Sequence, residues 1–190
     1  SQMAGAVKEA FDGAKNLIKY GYPTMDRRLG GGTRGEITVL AARPGHCKTS
    51  FTIQLMLNWS KMGYKVICFS LEMPTGKLIH KMISNQAGIP GYKIRTGKMD
   101  DVEKERLTRA AEEFVVKFKD NLLIYDDVYT VREMETIVAK HKPDVVVVDF
   151  IQLVQMDSDM RTGLFKVMSH LKRVAKEYNL NVFALSQLSR

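Results

Sequence analysis

Four consecutive valines, Val145 to Val148, followed at once by Asp149, constrain this chain more than any other stretch. Unbroken β-branched residues fit a strand buried on both faces. Such strands belong to parallel sheets with helices packed on either side. The valine run spans Asp144–Asp149, and four other runs share its character: Glu36–Ala42, Lys65–Leu71, Asn121–Tyr125 and Asn181–Ser186. Between them lie stretches of helical periodicity, at Lys48–Met62, Thr75–Gly88, Asp101–Lys119, Val131–His141 and Thr162–Tyr178. Gly63, Gly88 and Asn179 stand where such helices stop. The alternation predicts βαβ crossovers, and so a mainly parallel, doubly wound α/β sheet with helices on both faces. A chain of 190 residues can bury the core of one such domain. Upstream, Val7, Ala10, Phe11, Ala14, Leu17 and Ile18 form one apolar stripe, which predicts an amphipathic helix over Ala4–Tyr20. Gly21–Gly35 carries five glycines and a proline with little periodicity, and reads as a loop.

Ala42-Arg43-Pro44-Gly45-His46-Cys47-Lys48-Thr49-Ser50 follows the first long strand and opens a helix. Phosphate groups need this context. Consecutive backbone N–H groups curl around the phosphate oxygens, and the helix N-terminus adds partial positive charge. Lys48 would reach the β- and γ-phosphates of a nucleotide, and the Thr49 hydroxyl would ligate Mg²⁺. The usual pattern has glycine where Ala42 and Cys47 stand. The second departure matters more, because that glycine lets the backbone approach phosphate closely. If the position needs a positive φ, a Cβ there costs about 1 kcal/mol or more. The plain alternative is a strand–turn–helix with an exposed lysine.

Carboxylates end several strands. Asp149 would lie at the crevice where α/β sheets bind ligands, placed to hold Mg²⁺ through water, or else to cap a turn. Glu72, just past the strand Lys65–Leu71, could polarise a water attacking the γ-phosphate, or could be a surface residue. Asp126 and Asp127 read as a turn with N-capping rather than a metal site. Gln187, beyond the last strand, could contact a γ-phosphate or simply face solvent.

The formal net charge of +8 favours a polyanionic partner without proving one. The excess is uneven, with seven positive charges against one negative over residues 61–99. Only Cys47 and Cys68 are present, which excludes a disulfide framework, and no Cys/His pair has zinc-ligand spacing. A reducing cytoplasm fits that cysteine usage. No apolar run approaches the roughly 18 residues needed to span a bilayer, and no secretory signal is visible. The opening Ser1-Gln2-Met3 reads as an expression remnant.

Taken in order, several runs carry a family resemblance. They are Ala41-Ala42-Arg43-Pro44, Lys48-Thr49, Ser70-Leu71-Glu72-Met73-Pro74, Asp149-Phe150-Ile151-Gln152-Leu153 and Ala184-Leu185-Ser186-Gln187-Leu188-Ser189-Arg190. Ile94-Arg95-Thr96-Gly97 and Leu171–Glu177 fit the same series. Together they resemble the ATPase domain of DnaB-type replicative helicases, of phage or bacterial type, from about Gly21 to Arg190. The resemblance implies a RecA-like P-loop NTPase core at residues 21–190, with residues 1–20 as a linker-like helix that docks on a neighbouring subunit. It implies hexameric rings with ATP and Mg²⁺ bound between subunits, hydrolysis coupled to movement along single-stranded DNA, and a cytoplasmic setting. A primase or a helicase loader are open as partners. By this likeness Arg43, Pro44, Gly45, His46, Cys47, Lys48, Thr49 and Ser50 would form the phosphate loop. Thr49 and Asp149 would serve the metal, Glu72 would be the catalytic base, and Gln187 would sense the γ-phosphate. Cys47 departs from the family's loop glycine. The chain also stops at Arg190, ahead of the family's DNA-contacting loops and trans-acting basic residues, and lacks its N-terminal collar domain, which implies a fragment. Two rival readings share the fold: a strand-exchange or clock-type ATPase, and a nucleotide-binding assembly module that hydrolyses ATP poorly.

Overall fold

The computed structural model describes residues 13–155 and 163–188. A 3₁₀ turn at Gly13–Asn16 is followed by β1 (Leu17–Ile18), α1 (Pro23–Leu29), β2 (Gly32–Thr33) and β3 (Ile37–Ala42). Then come α2 (Lys48–Lys61), β4 (Val66–Ser70), α3 (Thr75–Ala87), α4 (Gly91–Thr96), α5 (Asp101–Phe118) and β5 (Leu122–Tyr125). The chain continues through α6 (Val131–His141), β6 (Val145–Asp149), a 3₁₀ turn at Ile151–Leu153, α7 (Gly163–Glu177) and β7 (Asn181–Gln187).

The predicted parallel sheet is present, in the order β3-β7-β6-β4-β5 with every neighbouring pair parallel. The valine strand β6 lies in its middle and is buried along its whole length. Its alternation explains the layers. Val145 and Val147 pack into one core with Ile53, Leu57 and Trp59 of α2, Leu78 and Met82 of α3, and Phe114 and Phe118 of α5. Val146 and Val148 pack into a second core with Met134 and Val138 of α6 and Val167, Leu171 and Val174 of α7. One strand thus serves both faces, and each fully buried apolar side chain contributes about 1.5–3 kcal/mol. Gly63, Gly88 and Asn179 all have positive φ at helix ends, as predicted. Among the described residues, no helix is long and apolar enough to cross a membrane.

The N-terminal region differs from the expectation. Of the predicted helix over Ala4–Tyr20, residues 4–12 lie outside the described set. Its end is a 3₁₀ turn followed by β1, which pairs antiparallel with β2. The apolar positions there follow a period of two: Ile18 and Tyr20 are buried while Lys19 is exposed. Tyr20 and Trp59 both pack against Phe183, with ring centroids 6.5 and 5.4 Å away. The predicted loop Gly21–Gly35 contains α1 and β2. Pro23 opens α1, and Asp26 turns back to accept hydrogen bonds from the amides of Tyr20 (2.7 Å) and Gly21 (3.1 Å). Gly31 has φ +127°, and a Cβ there would stand 2.6 Å from the Ile18 carbonyl oxygen. Glycine is therefore required for β2 to reach β1.

Candidate functional site

Because all five strands of the main sheet run parallel, their C-terminal ends share one edge. Ala42 at the end of β3 pairs with Gln187 at the end of β7, and Ser70 at the end of β4 pairs with Asp149 at the end of β6. The expected site residues are therefore brought to that edge by topology. A cavity of about 360 Å³ opens there, lined by residues 42–50 together with Glu72, Lys81 and Gln187. Every residue of the predicted phosphate loop lines it. Asp149 lies beneath, in contact with Lys48 and Thr49.

The loop bends through two left-handed positions, Gly45 (φ +79°) and Cys47 (φ +55°, ψ +20°). The His46 amide donates to the Arg43 carbonyl at 3.3 Å, and the His46 ring Nδ1 lies 3.1 Å from the Pro44 carbonyl oxygen. Phe51 is the first residue of α2 whose amide reaches back along the helix, to the Cys47 carbonyl at 2.9 Å. The amides of Lys48, Thr49 and Ser50 precede it in the first turn, where a helix offers them no acceptor. The result is a concave run of donors at the positive end of a helix. Ala42 is the last residue of β3 and fits the strand without strain. Cys47 does adopt the positive φ that its position demands, at a cost of roughly 1–2 kcal/mol for a residue with a Cβ. Its side chain is exposed and leaves the cavity open.

Beneath the loop lies an ion pair held without hydrogen bonds. Lys48 Nζ is 4.0 Å from Asp149 Oδ1, and the two side chains are only 10% and 5% exposed. Neither atom has a hydrogen-bond partner. Nζ also lies 4.8 Å from the centroid of the Phe150 ring. The Thr49 hydroxyl donates to Asp149 Oδ2 at 3.5 Å. Burial pushes the Asp149 carboxyl above its ordinary value. The Lys48 ammonium opposes that shift and the negative charge of Glu72 adds to it. Buried polar groups are normally satisfied. A buried lysine in the cavity lining and an aspartate beneath it, each with an atom that lacks a hydrogen-bond partner, suit a ligand that brings acceptor oxygens for one and a cation for the other. Among the described residues no three His, Cys, Asp or Glu side chains cluster to hold a metal. A cation here would draw its remaining ligands from water and from the bound molecule, as Mg²⁺ commonly does.

Two contributors escaped the sequence reading. Lys81 projects from α3 into the cavity wall, and its charge favours the ionised form of Asp149. The signal was the basic tract over residues 61–99, but charge counting does not say which lysine faces the crevice. Gln152 ties the segment after β6 to the end of β7. Its Nε2 donates to Ser186 Oγ (2.9 Å) and to the Gln187 carbonyl (3.0 Å), and its Oε1 accepts from the Gln187 amide (3.4 Å). It fixes the backbone that presents Gln187. The Asp126 reading holds in a different form from a local turn. Asp126 Oδ2 accepts from the Thr75 amide at 2.6 Å, so it caps α3 across 51 residues of sequence. That helix then carries Lys81.

Comparison with known proteins agrees with this architecture. Residues 18–190 match the family described as DnaB-like helicase C terminal domain. The chain is 33% identical over 184 residues to the replicative DNA helicase DnaB of Haemophilus influenzae, covering 91% of this chain and 39% of that protein. It is 31% identical over 192 residues to the replicative DNA helicase DnaB of Geobacillus stearothermophilus, covering 94% and 41% respectively. The chain thus spans well under half the length of these relatives. Among solved structures it superposes on one described as an ATPase domain with a TM-score of 0.83 and 27% identity, covering all of this chain and 71% of that one. A DnaB-like replicative helicase, described with its interactions with primase, gives a TM-score of 0.86 and 27% identity, with 48% of that chain covered.

Proposed function

The chain belongs to the DnaB-like helicase C-terminal domain family, and from that premise we propose that it is the ATP-hydrolysing motor of a replicative DNA helicase, moving along single-stranded DNA and separating duplex strands. The observation that carries this reading is the buried Lys48–Asp149 pair, with Nζ and Oδ1 unsatisfied at the N-terminal end of α2, where first-turn amides have no helical acceptor. Residues 43–50 wrap the phosphates, with the amides at the start of α2 as donors and Lys48 directed at the β- and γ-phosphates. Thr49 Oγ1 and the Asp149 carboxylate hold Mg²⁺, which when bound neutralises charge on the phosphate oxygens. Glu72, exposed on the cavity wall, takes the proton of the attacking water as general base. Gln187, held by Gln152, reads the γ-phosphate, and Lys81 adds positive charge in the cavity lining. The motor domain begins at β1, whose Ile18 packs with Tyr20 in the domain's own core, and the residues before β1 form the linker that meets a neighbouring subunit of a hexamer. A primase or loader is the partner and the cytoplasm the setting.

One observation favours a second reading. Cys47 keeps a left-handed loop conformation at an energetic cost, which suits a nucleotide-binding module with poor turnover. ATP hydrolysis by the intact gene product, with and without single-stranded DNA, separates the two. DNA-stimulated turnover is expected. Tight MgATP binding without turnover would transfer the chain to the binding-module class, and no MgATP binding would overturn both.

A further inference from the structure

We propose that Gln152 is a positioning residue for nucleotide discrimination: its side-chain amide stands in for a strand neighbour at the end of β7 and holds the Gln187 backbone where the Gln187 side chain meets a γ-phosphate. The inference rests on the reading of Gln187 above and deepens it, by naming what sets the preference for a triphosphate over a diphosphate.

Three observations support it. First, the two sides of β7 end at different places. On one side β3 pairs with it as far as Ala42 and Gln187, and the Leu188 amide donates to the Ala42 carbonyl at 3.1 Å. On the other side the described register with β6 ends earlier, at Val148 and Ala184. Successive residues of a strand turn their backbone polar groups to opposite sides. Leu188 faces β3, so the N–H and C=O of Gln187 face the β6 side, past the end of that pairing. Second, Gln152 supplies the missing partner. Its Nε2 donates to the Gln187 carbonyl at 3.0 Å, and its Oε1 accepts from the Gln187 amide at 3.4 Å. One primary amide thus meets both backbone groups of a single residue, as a neighbouring strand would. Nε2 also donates to Ser186 Oγ at 2.9 Å. Third, Gln152 is itself held. It lies in the 3₁₀ turn Ile151–Leu153, just after Asp149, and Ile151 is buried in the second core. The amides of Leu153 and Val154 donate to the carbonyls of Phe150 (3.1 Å) and Ile151 (3.2 Å).

The cavity lining includes Gln187 but not Gln152, so Gln152 acts through its neighbour rather than on the nucleotide. A side chain that must reach a phosphate loses affinity when its backbone is free to wander, because ordering that backbone is then charged against the contact. A diphosphate lacks the group that Gln187 reads. Loosening Gln187 therefore weakens the triphosphate alone. The orientation of the Gln152 amide is part of the device. Turned over, it would set oxygen against the Gln187 carbonyl and N–H against the Gln187 amide.

The test uses the intact gene product with Gln152→Ala, Gln187→Ala and the double variant. Calorimetry measures the affinity of each for MgADP and for the Mg²⁺ complex of a non-hydrolysable ATP analogue. Gln152→Ala is expected to lower the preference for the triphosphate by about tenfold, the worth of one or two hydrogen bonds, while MgADP affinity stays within about twofold. Gln187→Ala should lose at least as much, and the double variant no more than Gln187→Ala, because the two residues act as one unit. Gln152→Glu keeps the shape but cannot donate to the Gln187 carbonyl. It should behave as Gln152→Ala does, so that a folding failure of one variant leaves the other to decide. An unchanged preference in Gln152→Ala, equal losses for both nucleotides, or additive losses in the double variant would each overturn the proposal. An unchanged preference in Gln187→Ala would instead remove the γ-phosphate reading of Gln187, and wild type that binds neither nucleotide would remove the site, and this inference with it.

Discussion

Replacing Asp149 by asparagine separates what this site does for stability from what it does for function. Asp149 is 5% exposed, with one oxygen unpartnered and the other reached only by the Thr49 hydroxyl at 3.5 Å. Its carboxyl is raised above the ordinary 3.8, so the folded protein holds that proton more tightly than the unfolded chain does. The stabilisation from this group is fully present below pH 3.8 and is lost as pH rises through the raised folded value. Asparagine does not titrate. The unfolding free energy of Asp149→Asn minus that of wild type should therefore grow as pH rises from 3.8 through the raised folded value, by about 1.4 kcal/mol for each unit of displacement. Leaving Lys48 without its carboxylate enters as an offset rather than a slope. Urea titration followed by fluorescence of the single tryptophan, the buried Trp59, measures both proteins across that range. Adding MgATP should raise wild type relative to the variant at neutral pH. At about a hundred times its Kd, a ligand stabilises by about 2.7 kcal/mol, or very roughly 5–10 °C in a chain of this size. Wild type should gain that stabilisation, and Asp149→Asn should gain little of it. A stability gap flat with pH, together with equal gains from MgATP, would refute the reasoning.

Other outcomes follow from the same geometry. Glu72→Gln should bind MgATP about as well as wild type and hydrolyse it about 10²–10⁴-fold more slowly; unchanged turnover in a steady-state assay would remove Glu72 from the chemistry. Cys47→Gly relieves roughly 1–2 kcal/mol of left-handed strain against about 0.5–1 kcal/mol of added chain entropy. Its stability should be unchanged or about 1 kcal/mol higher, with MgATP affinity preserved or raised, and a tenfold weaker affinity would make Cys47 a fitted part of the loop. Asp126→Ala removes the cap of α3 and should lower the urea midpoint at neutral pH. The Thr75 amide holds the Asp126 carboxyl below its ordinary 3.8, so that loss should shrink as pH falls through the folded value. A difference constant down to strongly acidic pH would contradict the cap's role.

The sheet was legible because its strands declare themselves locally. A run such as Val145–Val148 has few homes other than a two-sided core, and the helices between such runs fix parallel pairing. The site was legible for the same reason: Lys48, Thr49, Asp149, Glu72 and Gln187 stand next to strand ends, and parallel strands deliver their ends to one edge. What sequence could not show depends on long-range geometry. The direction of Lys81 follows from how α3 is held, and that depends on Asp126 from a different strand. Gln152 acquires its partners only because β6 and β7 are neighbours. β1 was misread because Leu17 and Ile18 satisfy a helical stripe equally well. Burial of Ile18 and Tyr20 against α2 and β7, with Gly31 allowing β2 close, favoured the extended form.

The central claim is that the amides at the start of α2 and Lys48 grip a triphosphate above Asp149. Calorimetric titration of MgATP into wild type and Lys48→Ala tests it most directly. Two charge-assisted hydrogen bonds at about 1.5 kcal/mol or more each predict one MgATP per wild-type chain and a loss of at least about 100-fold in the variant. Wild-type affinity in Lys48→Ala would contradict the account.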